Sequence, residues 1–142
     1  MRISNKWLLT IFTIVVTYST GYINFGNWLK SSSAELYNFN ITLVYFLLWI
    51  GISVYFGVKG YSKYLKFCLI YFGICFISSI PIAFEIESLT GSLGLPSLWY
   101  GSSIYGLQYY FNSPRFICFF IGTVISAITC PLGYYVGSKF KK

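Results

Sequence analysis

Residues 41–50 read Ile-Thr-Leu-Val-Tyr-Phe-Leu-Leu-Trp-Ile and sit inside 23 consecutive residues, 36–58, that carry no charge. Wound at about 1.5 Å per residue, a run of that length crosses the roughly 30 Å hydrocarbon core of a bilayer. Inside lipid only a helix or a closed barrel satisfies every backbone donor and acceptor, and the apolar/polar alternation of a barrel strand is missing here. The stretch is predicted to be a membrane helix at about 41–58.

The same reading extends outward in both directions. Lys6 and Lys30 bracket 23 uncharged residues, with the apolar run Trp7-Leu-Leu-Thr-Ile-Phe-Thr-Ile-Val-Val16 at their start, which places a first span at about 7–25. Lys66 and Glu85 bracket 18 residues, 67–84, just inside the usual range of about 17–25. Arg115 and Lys139 bracket 23 more, giving a fourth span at about 116–138. A cleaved signal peptide at 1–25 is the alternative for the first span, but Thr17-Tyr-Ser-Thr-Gly21 is a poor substitute for a small-residue cleavage site. The expected fold is all-α: one membrane domain over 1–142, a bundle of four transmembrane helices.

Composition agrees and narrows the chemistry. Of 142 residues, 56% are hydrophobic, 23% aromatic and 9% charged, whereas soluble domains run near a quarter charged. There is no histidine, and the only acids are Glu35, Glu85 and Glu87, which removes histidine-based triads, most metal sites and carboxylate-rich active sites. Neither a phosphate-binding glycine loop nor a nucleophile elbow is present, so no cofactor, metal or catalytic residue is expected. The wealth of Ile, Asn, Lys, Phe and Tyr suggests an A+T-rich genome of the bacterial kind, with the cell membrane as the expected location.

Orientation follows from the basic residues, which short loops hold on the cytoplasmic side. Four crossings put Arg2, Lys6, Lys59, Lys63, Lys66, Lys139, Lys141 and Lys142 on one face and only Lys30 and Arg115 on the other. Both termini are therefore expected inside and all three acids outside. The net charge of +7 is then a topology signal that also attracts anionic lipid. Nucleic-acid binding is not expected, because the basic residues are split among three short segments with no reading element.

The outer segment after span three is the most unusual part. Its core, 88–114, holds 27 residues without a charge, and the loop as a whole is expected at about 86–114. Leu95-Pro-Ser-Leu-Trp-Tyr100 and Ile104-Tyr-Gly-Leu-Gln-Tyr-Tyr-Phe111 set six aromatics among small residues. Rings of this kind suit the headgroup layer, so the segment is expected to lie back on the outer face, partly helical, capping the bundle. The functional alternative is a lid or docking surface, for which Glu85, Glu87, Trp99, Tyr100, Tyr105 and Arg115 are the candidate residues. The glutamates stand just beyond Ser78-Ser79-Ile80-Pro81, where proline bends helices. Ordinary ionised surface groups are the plainer reading of both.

Within the spans, Gly122, Ser126 and Cys130 form a ridge of small residues on helix four, continued by Gly133 and Gly137. Such ridges let helices approach closely, and Pro131 should kink the helix between the two parts. Thr10, Thr13, Thr17 and Thr20 fall on one face of helix one, a stripe that joins helices by hydrogen bonds more often than it lines a channel. Cys75 and Cys130 each lie nine residues from a cytoplasmic lysine, so they are expected to be the cysteines at matching depth. Asn40-Ile-Thr42 matches a glycosylation sequon but abuts span two.

These features point to a non-enzymatic membrane protein, an accessory, immunity-type or interaction subunit. Its expected partners are the lipid bilayer and another membrane protein or a second copy of itself. A homo-oligomeric channel or small-solute transporter using the hydroxyl faces is the alternative class, and a membrane-embedded enzyme comes third.

Overall fold

The computed structural model describes residues 4–29, 33–83, 100–111 and 115–141. All the secondary structure in them is helical: α1 (Asn5–Leu29), α2 (Leu36–Val58), α3 (Lys63–Ala83), a short helix α4 (100–104), a 3-10 turn (Tyr105–Leu107), α5 (Gln108–Phe111) and α6 (Arg115–Ser138). Three segments, Asn5–Asn27, Leu36–Val58 and Ile117–Ser138, are long and apolar enough to cross a membrane.

The helices outrun the spans read from charge. Hydrocarbon thickness fixes only the middle of a membrane helix, and polar residues on either side continue the winding. The connection expected at 26–40 is accordingly helical at both ends. Asn24 and Asn27 at the end of α1 bond Asn38 at the start of α2, so these amides pair between helices, although the Asn24 Nδ2 is buried without a partner among the described residues. At the other end of α2, Gly60 adopts φ +62° and closes a Schellman cap: Tyr61 N–H bonds Phe56 C=O at 3.0 Å and Gly60 N–H bonds Gly57 C=O at 2.9 Å. α3 starts directly after this turn.

α2 and α6 form the central pair of the described helices. α6 packs most extensively against α2 and next against α3, while α1 packs on α2. Glycines permit the α2–α6 approach, since a Cβ on Gly57 or Gly137 would strike the backbone of Tyr134 or Val54. Gly133 rests on Ser53, and Cys130 and Ser126 are fully buried. The small-residue ridge of α6 is thus spent within the chain: Gly122 faces Ile104 and Leu107, and Gly133 and Gly137 face α2. The helix runs through Pro131 without interruption. An aromatic layer joins the helices at mid-height, where Trp49 stacks on Tyr71 (5.3 Å) and meets Phe12 edge-on (5.5 Å).

The partition of polarity reverses that of a soluble domain. Outward positions carry Ile14 and Val15 on α1, Leu47 on α2, Leu69 and Ile74 on α3, and Ile128 and Leu132 on α6, with Leu69 77% exposed. Inward positions carry Thr13, Thr17, Thr20, Asn24, Asn38, Thr42, Ser53, Thr123 and Ser126. An exposed apolar face this extensive is unsuited to water and suited to lipid.

Candidate functional site

The described part of the aromatic segment does more than cap the bundle. Every residue from Tyr100 to Leu107 is buried. Tyr100 touches Tyr45 (6.2 Å between ring centres), Phe72 (6.2 Å) and Phe119 (5.4 Å). Tyr45 lies nine residues into α2, so the segment reaches about 13 Å down that helix before rising again to α5. Two glycines make the insertion possible. A Cβ on Gly101 would overlap the Phe119 ring, and one on Gly106 would overlap the backbone of Asn38 and Phe39.

Backbone at that depth needs partners, and hydroxyls supply them. Thr42 Oγ1 donates to Ser103 C=O at 2.8 Å and accepts from Gly106 N–H at 3.0 Å. Ser103 Oγ donates to Thr17 C=O at 3.0 Å and receives Thr20 Oγ1 at 3.1 Å. Thr17 Oγ1 reaches Tyr71 OH on α3 at 3.0 Å. Thr17 and Thr20 of the α1 stripe therefore hold the inserted segment and α3, whereas Thr13, buried, and Thr10, exposed, bond only their own helix, at Leu9 C=O and Lys6 C=O. Above this lies the asparagine group: Asn38 Oδ1 accepts from Asn27 (3.2 Å) and from Glu35 N–H (2.9 Å), and Asn38 Nδ2 donates to Asn24 (3.1 Å). The sequon threonine, Thr42, is wholly buried in these bonds.

Of the candidate surface residues, Glu85, Glu87 and Trp99 lie outside the described residues, as do 86–99 and 112–114 of the expected loop. Arg115 begins α6. Tyr100 and Tyr105 are 1% and 3% exposed, interior residues rather than parts of a docking surface. Within the described part of the segment α5 presents its rings outward, with Tyr110 64% exposed and set edge-on to Phe39 at 4.6 Å.

At the other end of the bundle is a cluster that charge spacing misplaced. Tyr64 faces Tyr134 and Phe76 faces Phe120 across α3 and α6, a register that sets Cys130 level with Cys68 rather than with Cys75. The expectation placed Lys66 and Lys139 at one level, but Lys66 already lies in the first turn of α3, and the register is displaced by seven residues, about two turns. Ser53 and the Tyr64 hydroxyl bond each other beside the two thiols, and Tyr64 stacks on Phe56 (5.2 Å) and Tyr134 (6.0 Å). All four cysteines are free and buried. Among the described residues no group of three or more His, Cys, Asp or Glu side chains could hold a metal ion.

No family model, no curated protein and no solved structure matches this chain. Its chemistry is to be read from its own surfaces.

An apolar groove of about 560 Å³ lies between α3 and α6, lined by Cys68, Phe72, Gly73, Ile77, Thr123, Ala127 and Pro131 among others. Among the described residues no atom lies within 4 Å of the position a Cβ on Gly73 would take, as is also true of Gly26 and Gly51. A smaller hollow of about 190 Å³ lies between α1 and Ser102.

Proposed function

We propose that the protein is a four-span integral membrane protein of the cell membrane, with both termini cytoplasmic and residues 100–107 re-entering from the outer face. It acts without catalysis, as an accessory, immunity-type or interaction subunit that binds another membrane protein through its lipid-facing surface. The observation that carries this reading is the division of labour between its faces. Hydroxyls and amides along the spans are used to hold the chain to itself, and a recess left outside, between α3 and α6, is apolar, with Gly73 and Ala127 set among larger side chains such as Leu69, Phe72, Phe76 and Ile77. Small residues are what a second helix needs for close approach in lipid.

The alternative of a pore between several copies draws on the same hydroxyls. It loses support because Thr13, Thr17, Thr20, Thr42, Ser53, Thr123 and Ser126 all point into their own chain.

A photo-crosslinking side chain at Ile77, in the groove, is expected to capture a second membrane protein in native membranes, while one at Leu47 on α2 is not. Gly73→Leu should abolish that capture without unfolding the chain, since no atom lies within 4 Å of the new Cβ position. Capture of copies of this chain alone, together with ion conduction by the purified protein in liposomes, would favour the channel instead.

A further inference from the structure

We propose that the end of the bundle where α2 and α6 finish and α3 starts binds an anionic phospholipid, whose phosphodiester is taken by Lys59, Lys63 and Lys141. Two elements distant in sequence bring these lysines to one place. Glycine lets the ends of α2 and α6 meet backbone to backbone, since a Cβ on Gly57 would lie 2.9 Å from the Ser138 nitrogen and 3.0 Å from the Gly137 Cα. The chain beyond Ser138 then lies over the turn that joins α2 to α3. A Cβ on Gly60 would stand 2.9 Å from both Cε and Nζ of Lys141, so the Lys141 ammonium rests on the turn, on the residue next to Lys59 and three before Lys63.

Charge at this end has no counter-ion in the protein. Lys59, Lys63, Lys66, Lys139 and Lys141 all stand there, and among the described residues the only acid is Glu35, at the opposite end of α2. Helix dipoles are too small to balance five whole charges: α2 and α6 each end in about half a negative charge, and α3 starts with about half a positive one. The balancing anion has to come from outside the chain. Neighbouring rings indicate its source. Lys139 Nζ lies 4.8 Å from the centre of the Tyr135 ring and Lys59 Nζ 5.9 Å from that of Tyr55, while Phe140, between Lys139 and Lys141, is 68% exposed. Exposed rings flanked by lysine stems suit the boundary between headgroups and acyl chains, which sets the ammonium groups at phosphate level. An acidic protein surface would satisfy the lysines but not Phe140. The site rests on the membrane reading above and is separate from the groove between α3 and α6.

Native mass spectrometry of the protein in a mild non-ionic detergent, with phosphatidylglycerol or phosphatidylethanolamine added in equal amounts, tests this. Phosphatidylglycerol should be retained in preference to the zwitterionic lipid, and excess inorganic phosphate should not displace it, because the acyl chains add to the hold. Lys63→Gln and Lys141→Gln should each weaken retention about fivefold, the equivalent of about 1 kcal/mol per basic residue. Both side chains are exposed, so neither change disturbs the packing, and Lys141→Arg should keep the lipid. Lys6→Gln removes the same charge at the same end of the bundle, but from α1, and should leave retention unchanged. Equal retention of the two lipids, displacement by phosphate, or an equal loss in Lys6→Gln and Lys141→Gln would each overturn the proposal. Capture at Ile77 is unaffected by these substitutions, so failure here and failure of the groove reading are told apart.

Discussion

Gly106→Ala is expected to destabilise the folded bundle by about 3 kcal/mol, at the upper end of overpacking penalties, when the protein is unfolded with SDS in mixed micelles. The reason is the nature of the neighbour. A methyl group there meets the Asn38 carbonyl and the Phe39 Cα, which are backbone atoms of α2 and have no rotamer with which to yield. The 3-10 turn would have to back away, stretching the Gly106 N–H bond to Thr42, so a packing fault and a polar fault arise together. Gly26→Ala and Gly51→Ala supply the contrast. Neither new Cβ has a neighbour within 4 Å, and each should instead stabilise its helix by up to about 1 kcal/mol. Equal effects at all three positions would mean that the segment does not press against α2.

Asn38→Leu is expected to cost about 2 kcal/mol in the same measurement. Its side chain makes three bonds, to Asn24, Asn27 and the Glu35 N–H, and hydrogen bonds between membrane helices average about 0.6 kcal/mol each. Two of those bonds fasten the end of α1 to the start of α2, and the third caps the N-terminus of α2. Leucine is similar in size and belongs comfortably in lipid, so a loss of stability isolates the polar contribution. An unchanged or raised stability would show that water serves these amides as well as Asn38 does.

Much of the fold was legible because charge is so scarce. The uncharged runs between lysines and arginines form the middle of each long helix, while Lys6, Lys63, Lys66 and Arg115 lie within the first turns. The small ridge from Gly122 to Gly137 and the threonines after Thr10 were also legible as interior faces, because small and hydroxyl side chains have no use against acyl chains. The partner of the ridge was not, since close approach to α2 and close approach to another protein require the same residues.

The insertion of Tyr100–Leu107 escaped sequence reasoning for a physical reason. An uncharged, glycine-rich aromatic stretch suits the headgroup layer and a protein interior equally well, and eight residues are too few for a periodicity to decide. Its depth is set by contacts distant in sequence, among them Gly101 with Phe119, Gly106 with Asn38 and Tyr100 with Tyr45. The cysteine pair was misassigned for a similar reason. A lysine's long stem lets it sit a turn inside its helix while its charge reaches the surface, so lysine positions measure depth only to within a turn or two.

Sidedness tests the account most directly. Single cysteines introduced as Ser33→Cys, Ser62→Cys and Tyr110→Cys, with a tag after Lys142, can be probed in intact cells with a membrane-impermeant maleimide, because the four native thiols are buried. The account predicts labelling at 33 and 110 from outside, and protection of 62 and the tag until the membrane is opened. Labelling at 62 in intact cells, or protection at 110, would contradict it.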